Sequence, residues 1–464
     1  MRLSLAALFA CALSAALSAG APRTLRLDYV HSGDAKGESF ALARVVEEPL
    51  PWPGNPDRAL DDSNLGKYRA EVRDVAGKVI YSRGFASIFG EWQDTAEAGR
   101  LQRAFEESVR FPEPAEPVTV HLLRRRSDMG WKEVWSCPVD PKAQDVERAA
   151  PPQAGALVPI LKHGDPAHKV DFLILGDGYT AAERPKFLRD ARRLAATFFR
   201  YEPYKSRKAD FNVWALCPAS PESGISRPST GIHRRSALGC TYDAFGAERY
   251  ILTFDNRAFR DAASQAPYDF VEILVNGRTY GGGGIHQLYG TVASDNAFSE
   301  YVFIHEFGHH IAGLADEYYT SDAVLQPNQA RPEPWEPNVT ADPLHPKWAD
   351  LLTPGIALPT PWKKAEFEAY SDGIQAERHA IRAAHQPESV MEDLFRKELA
   401  HETELLGTDA HSGQVGAFEG ANYERAGYYR SQEDCIMFTR DLSAGFCAAC
   451  RKAISTVIDQ YSRP

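Results

Sequence analysis

Beyond the amino-terminal segment and up to Cys137, apolar and polar residues alternate in short runs. Examples are Leu25-Arg26-Leu27-Asp28-Tyr29-Val30, Lys78-Val79-Ile80-Tyr81-Ser82 and Val118-Thr119-Val120-His121-Leu122-Leu123. Period-two alternation sends every second side chain to one face, the pattern of a half-buried strand. Gly54-Asn55-Pro56, Asp61-Asp62 and Gly66 punctuate the runs as turns. Residues 24–137 are therefore expected to form an all-β sandwich. Residues 138–160 carry Pro151-Pro152 and little periodicity, which predicts a linker.

The pattern then changes. Val170-Asp171-Phe172-Leu173-Ile174-Leu175 reads as a buried strand turned by Gly176-Asp177-Gly178, and Thr180-Ala181-Ala182-Glu183 is a capping box that opens a helix. Further strands are expected at residues 211–216, 250–254 and 270–275. Strand, long helix and strand make residues 161–464 an α/β domain. Residues 320–362 shift to Pro and Trp, which predicts a long irregular insertion forming a wall of the active site.

Residues 1–21 combine Arg2, an apolar run and small residues at Ser18 to Ala21, the pattern of a cleaved signal peptide. The mature chain is then secreted, periplasmic or held at a cell surface, with no integral membrane segment. The formal charge of −11 and the lack of a dense Lys/Arg block argue against a nucleic-acid partner. Loss of Cys11 leaves six cysteines, and an even count in an exported chain favours disulfides. Cys217 with Cys240, and Cys435 with Cys447 or Cys450, are the expected pairs. The alternative for Cys447-Ala-Ala-Cys450 is a structural zinc site with Cys435 as third thiolate. Asn338-Val339-Thr340 matches a glycosylation acceptor.

His305-Glu306-Phe307-Gly308-His309 carries the chemistry. Histidines four apart share one helical face and place two imidazoles on one ion. With 14 His in the chain, such a motif arises by chance roughly 0.03 times. A catalytic zinc ion takes a third protein ligand. Gly313 is suited to end the helix in a left-handed conformation and turn the chain back, which brings Asp316 to the metal, with Glu317 as the competing ligand. His310 points off that face and is structural. Glu306 is then the general base for a zinc-activated water and carries its proton to the leaving amine. The glycine run at residues 281–284 reads either as an exposed edge for substrate pairing or as a flexible loop.

These residues have a family resemblance. His305-Glu306-Phe307-Gly308-His309 followed by Gly313-Leu314-Ala315-Asp316-Glu317-Tyr318 resembles the immunoglobulin A peptidase family of secreted zinc metallopeptidases, within the metzincin group. So do Leu175-Gly176-Asp177-Gly178-Tyr179-Thr180, Tyr280-Gly281-Gly282-Gly283-Gly284 and Val415-Gly416-Ala417-Phe418-Glu419-Gly420-Ala421, and the segment around Gly84-Phe85 and Glu91-Trp92 is similar to that family's β-rich amino-terminal domain. The resemblance implies zinc held by His305, His309 and Asp316, Glu306 as catalytic base, and Met437 in a methionine turn beneath the metal. The chain departs from the wider group in having three residues, His310 to Ala312, between the second His and Gly313, then an Asp instead of a third His. Thr439 stands where some members carry an oxyanion-donating Tyr, which leaves Tyr318, Tyr319, Tyr428 and Tyr429 as candidates. The resulting expectation is a secreted zinc endopeptidase acting on proteins, glycoproteins or peptides. The alternatives are a binding or adhesion protein with a vestigial metal site, and a zinc hydrolase of non-peptide amides.

Overall fold

The computed structural model describes residues 22–320 and 332–463. The expected signal peptide at residues 1–21 and part of the expected insertion at 320–362 lie outside them.

Seven strands build the amino-terminal region: β1 (Arg23–Gly33), β2 (Glu38–Pro51), β3 (Tyr68–Arg73), β4 (Val79–Phe85), β5 (Arg103–Pro112), β6 (Val118–Arg125) and β7 (Trp131–Val139), with a short helix α1 (Ile88–Gln93) between β4 and β5. They form two antiparallel sheets, ordered β2-β1-β5 and β4-β3-β6-β7. The alternating residues Leu25, Leu27 and Tyr29 of one sheet share a core with Ala70, Val72, Val120 and Leu122 of the other. The alternation seen in the sequence is thus the inner face of a two-sheet β region.

The second region is a mixed α/β domain. Its central strands are β8 (Val158–Leu161), β9 (Val170–Asp177), β10 (Phe211–Leu216), β11 (Phe270–Val275), β12 (Gly282–Ile285) and β13 (Tyr289–Ala293). They run in the order β12-β13-β11-β9-β10-β8, parallel from β13 to β10 and antiparallel at both edges. Strands β9, β10 and β11 are buried throughout, so their continuous apolar runs serve two cores. Phe172, Ile174, Val213 and Phe270 face one core with helices α2 (Arg184–Phe198), α4 (Ser299–Ala312) and α7 (Ala448–Ser462). Leu173, Leu175, Leu216 and Ile273 face the other, with α3 (Asn256–Ala263).

Two expectations need correction here. Residues 250–254 form no ladder strand; they make isolated bridges, Tyr250 to Gly282 and Leu252 to Thr241. The pairing of Cys217 with Cys240 is also absent: both are free and buried. The sheet itself separates them, since Cys217 belongs to the α2 and α4 core and Cys240 to the opposite one. The remaining elements are α5 (Lys364–Ala383) and α6 (Glu388–Gly407), together with a small sheet, β14-β16-β15, made of β14 (Val339–Thr340), β15 (Phe418–Ala421) and β16 (Glu424–Arg430). No helix of the described residues is long and apolar enough to cross a membrane.

Candidate metal centre and active site

Helix α4 carries the two histidines because Val302, Phe303, Ile304, Phe307 and Ile311 supply a buried stripe that anchors it. Its position is set by the glycine strand β12. A Cβ at Gly282 would lie 2.5 Å from Val302 Cγ1 and 3.1 Å from Glu306 Cγ, and one at Gly284 would collide with the Glu306 carbonyl. The glycines therefore allow sheet and helix to touch, and the expectation of a flexible loop is corrected. An exposed edge also gives way to a more covered one, because Ile251 N–H donates to Gly282 O (3.1 Å) and only Gly284 of the strand is half-buried rather than buried.

Gly313 ends α4 in the left-handed region, φ 57° and ψ 39°, with its N–H on His309 O. The chain reverses and returns Asp316 to the helix. Asp316 Oδ1 lies 3.0 Å from His305 Nε2 and 3.2 Å from His309 Nε2, and the two Nε2 atoms are 3.2 Å apart. Both rings are oriented from behind: His305 Nδ1–H donates to Ile436 O (2.9 Å) and His309 Nδ1–H to Leu314 O (2.5 Å). A carbonyl only accepts, so each Nδ1 carries the proton and each Nε2 lone pair points to one shared position. Glu317 turns away to the other side of the chain, where Asn338 Nδ2 donates to its Oε1 (3.0 Å).

The electrostatics favour a cation. Burial works against charge on His309, yet the Asp316 carboxylate lifts it to about 9. Asp316 stays well below the usual carboxylate range despite its own burial, because both imidazoles face it. A carboxylate oxygen of Glu306 lies within 4.8 Å of the histidine ring nitrogens. Burial raises the Glu306 carboxyl, and His305 and His309 reduce that rise without cancelling it. His310 sits outside the cluster as expected: its Nε2 accepts from Val271 N–H and its Nδ1–H donates to Ile285 O, each at 3.0 Å. Met437 is fully buried in a tight turn closed by Phe438 N–H on Cys435 O (2.8 Å), and a Cβ at Gly308 would lie 3.2 Å from its sulfur.

These groups open into a cleft of about 270 Å³, lined among others by Arg249, Tyr250, Tyr318, Trp335 and Tyr423. Of the four tyrosines singled out as oxyanion candidates, Tyr318 alone reaches this cleft, and Arg249 donates to its hydroxyl at 2.8 Å. Tyr423 and Arg249 were not visible as site residues in the sequence. Tyr423 occupies the tip of the β15–β16 hairpin with Asn422, both at positive φ, and its hydroxyl donates to Asp316 Oδ2. The hairpin is tied to the segment carrying Asp316 by Asn422 N–H on Asp316 O (2.9 Å). No glycine marks this turn, so the usual hairpin signal is missing. Asn338, read as a glycosylation acceptor, is fully buried and brackets Ala315 through both its amide groups, so the folded chain cannot present it.

The donor set suits a divalent ion: two imidazoles, His309 neutral once a metal displaces its proton, and one carboxylate, with room beside them for water. Comparison with known proteins agrees with the geometry. The family profile described as IgA Peptidase M64 matches residues 158–458, and that described as Peptidase M64 N-terminus matches residues 18–136. No curated protein matches the chain. With its catalytic region and its amino-terminal β region both matched, the chain belongs to the IgA peptidase M64 family of metallopeptidases.

Proposed function

We propose that the protein is an exported zinc-dependent endopeptidase in which His305, His309 and Asp316 hold the metal and Glu306 is the general base. The observation that carries this reading is the convergence of both Nε2 atoms and Asp316 Oδ1 within 3.2 Å, beside the Glu306 carboxylate. Bound there, zinc supplies a Lewis acid that polarises the scissile carbonyl and makes water acidic.

The chain's own groups do the rest. Glu306 takes a proton from the attacking water and returns it to the amine that leaves, and its raised carboxyl pKa brings it nearer to the value this exchange requires. Tyr318, held by Arg249 at 2.8 Å, faces the cleft as a donor for the developing oxyanion. Export rests on residues 1–21, and the family membership supports protein substrates.

Metal analysis and cleavage-site profiling on an unfolded-protein and peptide library test the reading. Wild type should hydrolyse internal peptide bonds in a chelator-sensitive way, while Glu306→Ala should bind metal and cut nothing. A zinc-loaded wild type that hydrolyses no member of the library would overturn it.

A further inference from the structure

Behind the histidine pair lies a second group of ligand-type side chains with no part in hydrolysis. Glu317, Cys435 and Cys450 are 0% exposed and Cys447 2%. One ligand atom from each, three sulfurs and a carboxylate oxygen, lies within 4.8 Å of all the others. Cys447 Sγ and Cys450 Sγ are each 3.5 Å from Glu317 Oε1, and Cys435 Sγ is 3.9 Å from Cys450 Sγ. All three cysteines are free, and three is a number that disulfide pairing cannot use up.

Two independent features point to a bound cation. Peptide N–H groups converge on the sulfurs: Met437 and Cys447 donate to Cys435 Sγ at 3.4 and 3.2 Å, and Cys450 donates to Cys447 Sγ at 3.4 Å. Such donors stabilise thiolates, as does the amino end of α7, which begins directly after Cys447. Second, the buried Glu317 Oε2 has no hydrogen-bond partner among the described residues, an expensive omission for a carboxylate. A metal ion held by the three sulfurs and the Glu317 carboxylate would compensate that buried charge.

We propose that Glu317, Cys435, Cys447 and Cys450 bind a second, structural zinc ion. Thiolates select a soft divalent metal, and four protein ligands close its tetrahedron, leaving no position for substrate. The three sulfurs bind as thiolates and Glu317 as a carboxylate, so metal displaces whatever protons they hold. The complex carries net negative charge, which Asn338 Nδ2 (3.0 Å from Glu317 Oε1), the buried Arg430 guanidinium and the α7 amino end offset.

The ion fastens the reactive centre from behind. Glu317 directly follows Asp316, and its N–H donates to Met437 O at 2.8 Å. Cys435 directly precedes Ile436, whose carbonyl orients His305. One metal thus joins the segment bearing Asp316, the turn containing Met437 and the start of α7.

Elemental analysis of the mature chain, purified without chelator, should find two zinc ions per chain in wild type. His309→Ala should retain one, and its cobalt-exchanged form should show strong thiolate-to-cobalt charge transfer in the near ultraviolet. Cys447→Ser should lose that band. If Cys447→Ser does not fold, the His309→Ala protein alone decides. Metal-free His309→Ala, iron in place of zinc, or alkylation in denaturant without reductant that misses any of the three thiols would each overturn the second site. Failure of the hydrolytic reading would leave the sulfur spectrum intact, so the two are separable.

Discussion

At the scale of single residues, the proposed site is defined by what stands behind His305, His309 and Asp316. Ile436 O and Leu314 O fix the tautomers of His305 and His309, and Tyr423 fixes Asp316 through Oδ2. Tyr423→Phe removes one hydroxyl from a buried acceptor; metal affinity measured against a competing chelator should weaken by about 10-fold or more, with the fold unchanged by circular dichroism. Glu306→Gln keeps shape and hydrogen bonding but cannot move the proton. It should lower kcat/KM by about 10³-fold while metal content stays at the wild-type value. The two histidines, Glu306 and the turn at Gly313 were legible in the sequence because helical spacing is strictly local. Asp316 was the expected third ligand and Glu317 its competitor, since the turn at Gly313 favours the first but spacing alone separates two adjacent carboxylates on a reversing chain only weakly. Tyr423 and Arg249 were not legible, because they reach the cleft by long-range pairing of otherwise ordinary segments.

At the scale of elements, the contact between β12 and α4 decides where the motif sits. Gly284→Ala would push a methyl group into the Glu306 carbonyl, and its nearest other contact, His309 Cβ, is 2.9 Å away. It should cost about 1–3 kcal/mol in urea unfolding and lower kcat, whereas Gly37→Ala meets nothing within 4 Å and needs no left-handed backbone, and serves as control for added bulk. The strands β9, β10 and β11 were readable as apolar runs, and the capping box survives as Thr180 N–H on Glu183 Oε2 (2.9 Å). Residues 250–254 read as a strand, yet they make only single bridges, one to β12 at Gly282 and one to Thr241. The cysteine arithmetic also failed: an even count suggested pairs, but Cys217 and Cys240 point to opposite faces of one sheet.

At the scale of the whole molecule, the amino-terminal sheets are fastened to the catalytic domain by a buried charge network. Arg26, with a fully buried side chain, contacts Asp28 (2.8 Å), Glu48 (3.2 Å) and Asp261 of α3 (2.7 Å). Arg26→Met would remove one of the arginines from each of three carboxylates, leaving Arg44 on Asp28 and Asp261 and Arg110 on Glu48, and the loss should be about 1–3 kcal/mol, seen as earlier unfolding of both regions in a single transition. His31 tests the same region by pH. Burial lowers its pKa, but Glu107 (3.0 Å) and Glu38 (3.1 Å) outweigh that and raise it above the ordinary 6.5. The folded state therefore holds a proton that the unfolded state gives up, and the stabilisation is complete below the unfolded value and lost as pH rises through the folded one. The difference in Tm between wild type and His31→Gln should narrow as pH rises from the ordinary imidazole value through the higher folded one; a constant or widening difference would contradict it. Anomalous diffraction at the zinc edge from crystals of the purified chain would locate the metal. A peak is expected about 2.0–2.2 Å from His305 Nε2, His309 Nε2 and an Asp316 carboxylate oxygen. No peak between the two imidazoles, or one completed by a side chain other than Asp316, would contradict the proposed metal site.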